Sequence, residues 1–398
     1  MFLLLFLMTY QMYLGRTNLL QLLRTIKAFN KKKFFIILLL FLLGQFVVSL
    51  LFDLSTFVIS RGDSMFYFSG AKHITELSSF ERLYSGYIFL IYFSQIISNS
   101  GILMVVIQSI FVIISAYALF SLAQDSGGSL ASWVSVSFYL LAPMLSQWTR
   151  YILTESIFYS LIIIGLRLAT LKSNWSAAAI VPVTLLLTTL RPNGVLIACA
   201  VLSIFALEKL RESSKRIFLV FSIWIFCGFL LIGGGGAGDA SQGSFFEKTL
   251  EGNVIYGVKE FNFKMPQPDS LDRSNFAYAK YILDNPIPNI EIGLLRIFWE
   301  LKQIRPWYSA SLNLFLMVTM MSFFLFSFIG LVQVWRKPLL NAIAIMTLPS
   351  TLLIALTWAI WEGRFGWWFM VSWIPLFGIG LSAAVDIIYK RINPTIRS

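Results

Sequence analysis

Charged residues, cysteine and histidine are all scarce in this chain of 398 residues. Only 13% of the residues are charged and 58% are hydrophobic, whereas soluble domains have about 25% and 45–50%. This composition excludes an ordinary soluble domain and predicts a protein that lies in a bilayer. Because a span needs about 20 apolar residues, the chain has room for about ten spans but not for a large soluble catalytic domain as well.

The few cysteines and the single histidine limit the chemistry that the chain could carry. Cys199 and Cys227 both lie in apolar runs, which argues against a disulfide framework and against a thiolate metal site. The lone His73 argues against histidine-rich metal chemistry and is interpreted as a surface side chain. We expect no cofactor, although a divalent ion remains open.

The net charge of +12 comes from basic residues scattered over short loops between apolar runs. They form no aromatic-studded basic surface, so we expect no nucleic-acid partner. We interpret them as determinants of topology and as contacts for anionic membrane lipids.

The apolar runs predict an all-α polytopic membrane protein of about ten transmembrane helices, with extracytoplasmic interfacial helices. The predicted spans are 34–58, 101–123, 131–148, 152–171, 175–190, 194–207, 217–232, 311–335, 339–358 and 366–388. Residues 84–97 are apolar but too short to span comfortably, so they predict an interfacial helix. If the lysines at 31–33 are cytoplasmic, alternation places the other basic loops on the same side, as the positive-inside rule requires.

Four segments follow from this topology. They are an N-terminal cytoplasmic or interfacial segment (1–33), an N-terminal transmembrane module (34–233) with its first outer loop at 59–100, an extracytoplasmic loop with an amphipathic helix (234–310) and a C-terminal transmembrane module (311–398). Residues 1–14 are either an interfacial or re-entrant piece or a signal-like apolar region. The long outer loop contains no Asn-x-Ser/Thr triplet, which favours the plasma membrane of a bacterium (the inner membrane) for this multi-pass chain.

Three isolated acids fall at helix ends on the same predicted outer face, namely Asp63, Glu155 and Glu362. Each has a plain structural alternative. Asp63 could cap the following helix, Glu155 could be a first-turn acid or a partner for Arg150, and Glu362 could pair with Arg364. Their coincidence on one face favours a functional site.

Aromatic and basic residues accompany these acids. Tyr67 and Tyr87 could form platforms for a sugar or belong to an interfacial aromatic belt. Arg191 lies at an outward turn, where it could bind a phosphate, pair with an acid or extend to the interface. Arg296 belongs to the amphipathic stretch 290–305, whose cations could hold a lipid phosphate or anchor ordinary anionic lipid.

The order of several short motifs resembles that of the GT-C superfamily of membrane glycosyltransferases. They are GDS-x-x-Y in the first outer loop, SGYIFLIYF, LTES opening a later span, LRPNG, an NP-led amphipathic helix, and EGRF before a final span with WIP. The resemblance covers residues 34–388. Within the superfamily, the order of motifs is most similar to that of the branch with the protein O-mannosyltransferases and the bacterial aminoarabinose transferase.

This resemblance implies roles for individual residues. Asp63 stands where the family has its catalytic base or acceptor-positioning acid, and Glu155 stands where a second acid lies. Glu362 and Arg364 correspond to an E-x-R-Y-like signature, with Phe in place of Tyr here. Apart from the resemblance, residue type and position add Tyr67, Tyr87, Arg150, Arg191 and Arg296 to the expected substrate-binding set.

The implied activity is inverting, metal-free transfer of a sugar from a polyprenyl-phosphate donor to a glycan, lipid or protein acceptor outside the cell. Two other readings stay open: a polysaccharide polymerase or ligase, and a transporter or flippase of lipid-linked glycans. A transporter would usually show ionisable groups near the membrane midplane, and these are nearly missing from the apolar runs.

Overall fold

The computed structural model of the chain describes residues 31–52, 56–60, 62–98, 100–171, 173, 175–210, 213–234, 245–267, 275–357, 359–360 and 363–392. The apolar N-terminal segment 1–14 and the predicted site residue Glu362 lie outside the described residues.

The described chain is predominantly helical, with two isolated β-bridges. In chain order the helices are α1 Lys31–Leu51, α2 Ser64–Lys72, α3 Ser79–Arg82, α4 Ser85–Ile97, α5 Ile102–Leu141, α6 Pro143–Ser146, α7 Glu155–Thr170, α8 Trp175–Leu190, α9 Gly194–Lys209, α10 Ser213–Gly234, α11 Phe245–Leu250, α12 Asn275–Asp284, α13 Pro286–Lys302, α14 Ala310–Gln333, α15 Pro338–Leu356, α16 Trp367–Met370 and α17 Ile374–Ile392.

Five helical segments among the described residues are long and apolar enough to cross a membrane: Lys31–Leu51, Ile102–Leu141, Ala310–Gln333, Pro338–Leu356 and Trp367–Ile392. Their outward faces carry large apolar side chains, as lipid-facing helices do. The expectation of an all-α, membrane-embedded protein is therefore confirmed at this level.

Helix α5 folds back on itself at Gly128, whose φ of 81° lies outside the helical region. The hydroxyl oxygens of Ser115 and Tyr139 lie 2.9 Å apart, whereas 24 residues of straight helix would separate them by about 36 Å. The segment therefore forms an antiparallel pair that corresponds to the predicted spans 101–123 and 131–148. The second arm ends at Leu141, earlier than predicted, because Pro143 follows and begins a separate short helix.

Small residues allow α14 and α17 to pack closely. A Cβ added at Gly380 would lie 1.8 Å from the carbonyl oxygen of Phe326, and one added at Gly330 would lie 2.0 Å from that of Leu376. Such close backbone approach is a common way for helices to associate in a bilayer.

The bundle has a basic end, which we define by Lys33, Arg167, Lys209 and Lys337. The Arg167 guanidinium pairs with Asp125 beside the α5 turn. The Lys337 ammonium donates to the Ser126 carbonyl at 2.6 Å, and Lys209 donates to the Ser173 carbonyl at 2.9 Å. Lys33 lies 4.5 Å from the centre of the Phe120 ring. These contacts place cations from distant parts of the sequence at one end of the helices.

Candidate functional site

A short backbone strap joins the first loop to the start of α7 at the end of the bundle opposite the basic end. Ile59 and Tyr151 form a parallel bridge, in which the Ile59 N–H donates to the Arg150 carbonyl at 3.0 Å. The Ser64 hydroxyl also donates to the Ile152 carbonyl at 2.8 Å. These bonds fix Asp63 beside the N-terminus of α7, where Glu155 is the first residue.

Four charged side chains meet there and form what we call the charge cluster: Asp63, Glu155, Arg191 and Arg364. Oε1 of Glu155 lies 2.7 Å from Nη1 of Arg191 and 3.1 Å from Nη1 of Arg364. Nη2 of Arg364 lies 3.1 Å from Oδ2 of Asp63. Two carboxylates and two guanidiniums thus form one continuous chain of ion pairs.

Exposure increases from Glu155 through Arg364 to Asp63. The exposed fraction of the side chain is 1% for Glu155, 7% for Arg191, 13% for Arg364 and 53% for Asp63. Glu155 is therefore the buried anchor that holds both arginines, and Asp63 is the carboxylate that an approaching molecule meets first.

The backbone explains part of this placement. Asp63 occupies the N-cap position of α2, but its side chain accepts no cap hydrogen bond and instead faces Arg364. Glu155 lies in the first turn of α7, where the helix dipole favours a negative charge. Arg150 is not its partner, because the Arg150 guanidinium donates to the side chain and backbone of Gln45 at 3.1 and 2.8 Å.

Aromatic rings surround the Arg191 guanidinium. Its central carbon lies 5.1 Å from the centre of the Trp368 ring, 5.5 Å from that of Phe365 and 5.8 Å from that of Phe158. Phe365 and Trp368 stack at 4.0 Å. Cation–π attraction and exclusion of water together stabilise the charge in this position.

Three side chains fasten the loop that carries Arg364. The Tyr159 hydroxyl donates to the Arg364 carbonyl at 2.7 Å, and the Gln303 side-chain amide donates to the Gly363 carbonyl at 2.7 Å. Gly363 has a φ of +68°, and an added Cβ would meet the Gln303 side chain. Glycine is therefore required in this turn.

Glu300, at the end of α13, is the third fastener. One carboxylate oxygen accepts the Ile360 N–H at 2.8 Å and the other accepts the Gly366 N–H at 2.6 Å. Complete burial raises the pKa of Glu300 to about 7, although the nearby Arg305 guanidinium and the backbone N–H groups oppose that shift.

The predicted tyrosine platforms form a packed wall next to the charge cluster. Tyr67 and Tyr87 are buried, with ring centres 4.9 Å apart in an edge-to-face arrangement. The Tyr87 hydroxyl donates to the Gln108 side chain at 2.8 Å. Burial raises the pKa of Tyr67 well above its usual value, and Tyr84 adds to this effect, so Tyr67 remains a neutral phenol.

Several buried polar atoms at this site have no hydrogen-bond partner among the described residues. They are Oγ1 of Thr154, Oε2 of Glu155, Nε of Arg191, Nδ2 of Asn193 and Nε1 of Trp368. Buried polar groups are normally paired, so these atoms mark where a polar ligand or bound water would gain hydrogen bonds.

Arg296 does not join the charge cluster and does not face a lipid headgroup. It is 1% exposed, and its guanidinium donates to the carbonyls of Asn253 and Ala355, both at 2.9 Å. Arg305, from the same predicted cationic face, is buried as well. Arg296 therefore ties α13 to the backbone of its neighbours, and Arg305, which follows α13, donates to the Ile360 carbonyl at 3.2 Å.

Sequence reasoning did not identify the supporting residues Tyr159, Glu300, Gln303 and Trp368. Trp368 follows the EGRF motif in a cluster of aromatic residues, and this cluster is the sequence pattern that could have indicated it. Tyr159 lies one turn after Glu155, and Glu300 is an acid within an otherwise amphipathic stretch. Neither pattern indicates a partner without a tertiary structure.

Within the described ranges, no three His, Cys, Asp or Glu side chains lie together in a way that could hold a metal ion. The chain matches no known protein family, no curated protein and no solved structure. Any functional assignment therefore depends on the residues and their geometry.

Proposed function

We propose that this chain is an integral membrane glycosyltransferase of the GT-C type. It would move a sugar from a polyprenyl-phosphate donor to a glycan, lipid or protein acceptor on the extracytoplasmic face. The observation that supports this most is the charge cluster at one end of an apolar bundle. It places the half-exposed Asp63 carboxylate against Arg364, which the buried Glu155 holds together with Arg191.

Asp63 is the proposed general base. Its carboxylate accepts the proton of an acceptor hydroxyl as that oxygen forms a bond to the anomeric carbon. The bond from that carbon to the donor phosphate oxygen breaks, and the lipid phosphate leaves with the electron pair. Attack opposite the leaving group inverts the anomeric centre.

Arg364 and Arg191 are the proposed phosphate partners. Guanidiniums fixed before the reaction stabilise the charge that grows on a leaving phosphate without having to reorganise. Glu155 fixes both of them through one oxygen atom. In this arrangement Glu155 positions the arginines, and Asp63 contacts the acceptor.

The proposed topology has ten spans. The two arms of α5 count separately, and α1, α7, α8, α9, α10, α14, α15 and α17 supply the others. Helices α7, α8 and α9 have 16 residues each, which corresponds to about 24 Å. Spans of this length require a locally thinner bilayer or flanking side chains that extend to the interface. The positive-inside rule then places the basic end in the cytoplasm of a bacterial cell.

The test is release of free lipid phosphate from a panel of polyprenyl-phosphate sugars by purified protein in native-like lipid. We expect release by the wild type and none by Asp63→Asn. Asp125→Asn is the matched control, because Asp125 pairs with an arginine at the opposite end, and this variant should retain full activity.

Equal release by Asp63→Asn would overturn the base assignment. No release from any donor by folded wild-type protein would overturn the transferase proposal and favour the polymerase or transporter readings. Folding is checked by size-exclusion profile and helical circular dichroism for every variant.

A further inference from the structure

A cavity lies at the basic end, where the ends of α9, α10, α14 and α15 meet. Its volume is about 440 Å³, within the range of roughly 300–1,000 Å³ that is usual for small-molecule pockets. The polar side chains that line it are Glu208, Arg216, Trp335, Arg336, Lys337 and Asn341.

This cavity is separate from the charge cluster. Helix α15 begins at Pro338 in the cavity wall, and its other end, at Ala355, receives a hydrogen bond from Arg296. Its 19 residues span about 28 Å, so the cavity and the charge cluster lie near opposite ends of the bundle.

The lining is cationic. Among the described residues that line the cavity, Arg216, Arg336 and Lys337 are basic and Glu208 is acidic. The Lys337 ammonium donates to the Ser126 carbonyl at 2.6 Å, and the Arg216 guanidinium donates to the Leu210 carbonyl. These bonds fix two of the three cations at the wall before any ligand binds.

The other residues that line the cavity are apolar. Ile204, Ala342 and Ile345 contribute to its lining, and Trp335 is 67% exposed at its edge. A tryptophan beside cations at a helix end is typical of the headgroup level of a bilayer. The ligand that fits both parts has an anionic head and an apolar tail.

We propose that this cavity binds the headgroup of an anionic phospholipid in the leaflet at the basic end. The phosphate lies among Arg216, Arg336 and Lys337, and the acyl chains run along the apolar faces of α14 and α15. Basic pockets between membrane helices commonly recognise such headgroups. A soluble phosphate compound would not use the apolar wall or the exposed Trp335, so the lipid accounts for more of the site.

The test measures the fluorescence of Trp335 in nanodiscs. Because the chain has 12 tryptophans, the Trp335 signal is the fluorescence of the wild type minus that of Trp335→Phe. The nanodiscs contain phosphatidylcholine with an increasing fraction of phosphatidylglycerol brominated near the ester end of its chains. We expect quenching that saturates at a low fraction of the brominated anionic lipid, and much weaker quenching by equally brominated phosphatidylcholine.

Arg336→Gln should raise the half-saturating fraction about fivefold, the effect of one cation at a lipid surface. Arg391→Gln is the control, because Arg391 is exposed on the last turn of α17 and does not line the cavity; it should leave the fraction unchanged. Trp335→Phe retains the three cations and is checked for the same size-exclusion profile as wild type.

Equal quenching by the two brominated lipids, or no change in Arg336→Gln, would overturn the proposal. Displacement of the quenching by millimolar inorganic phosphate would also overturn it, since the site would then take a free anion. None of these outcomes bears on glycosyl transfer at the charge cluster.

Discussion

Nη2 of Arg364 lies 3.1 Å from Oδ2 of Asp63, although 301 residues separate them in the sequence. This contact joins the first loop to the segment before the last long helix. Glu155 extends it inward, since Oε1 also accepts from Arg364 at 3.1 Å. Three distant parts of the chain therefore depend on one another at a single site.

Glu155→Gln should lower stability strongly. The change removes the carboxylate that pairs with the buried Arg191 and leaves Arg364 with Asp63 alone. Removing one partner of a buried pair costs about 3–5 kcal/mol. The apparent unfolding temperature in detergent measures the loss. Asp125→Asn removes a partly exposed pair and should change stability by about 1 kcal/mol or less. Equal losses in the two variants would contradict the burial of the charge cluster.

Tyr159→Phe should slow the proposed transfer by roughly tenfold, because it removes the hydrogen bond that fixes the Arg364 carbonyl, worth about 1–1.5 kcal/mol. Tyr139→Phe is the matched control. It removes a buried tyrosine hydroxyl that contacts Ser115 and Ser160 but does not touch the loop. The initial rate of lipid-phosphate release measures both. A similar rate loss in Tyr139→Phe would mean that general destabilisation explains the effect.

Stability should fall as the pH rises from about 4.5 to about 7 because of Glu300. Burial raises the folded-state pKa of Glu300 to about 7, so the folded protein binds this proton more tightly than the unfolded chain. The stabilisation is full below the unfolded pKa and is lost as the pH rises through the folded pKa. Its size is on the order of 3 kcal/mol.

Unfolding temperatures at pH 5 and pH 8 test this prediction. Glu300→Gln should remove that part of the pH dependence and also weaken the loop, since Gln has only one oxygen for the N–H groups of Ile360 and Gly366. Glu291→Gln, an exposed change on the same helix, should leave the pH dependence intact. An unchanged pH profile in Glu300→Gln would show that other groups cause it.

Gly380→Ala should destabilise the bundle. The added methyl group would meet the Phe326 carbonyl oxygen and force α14 and α17 apart, which costs about 1–3 kcal/mol or more. Val385→Ala, on the exposed part of α17, serves as control and should change little. The unfolding temperatures of the two variants test this prediction. A Gly380→Ala protein as stable as the wild type would contradict the close contact between α14 and α17.

Cysteine labelling tests the proposed sidedness. In a background with Cys199 and Cys227 replaced by Ala, we expect His73→Cys to react with a membrane-impermeant maleimide in intact cells. Arg391→Cys should react only after permeabilisation. Both positions are exposed on the protein, so only the membrane would keep the maleimide from reaching either cysteine. The reverse pattern would place the charge cluster in the cytoplasm and exclude a donor that is presented outside.

The sequence by itself determined the class of fold and most helix positions, because hydropathy is a local property that each span shows independently. It also indicated Asp63, Glu155, Arg191 and Arg364 as candidates, because charged residues at the ends of apolar helices are rare enough to stand out. Helix ends were less predictable where a proline such as Pro143 intervenes.

Only the tertiary structure decided which of these groups meet. Arg150 and Arg296 carry the same charge as Arg191, yet they bind the backbone of neighbouring segments, while Arg191 reaches Glu155. The identity of a charged residue does not determine its partner. That choice depends on which helix faces pack together, on the strap at Ile59 and on the turn that Gly363 permits, and these are properties of the whole bundle.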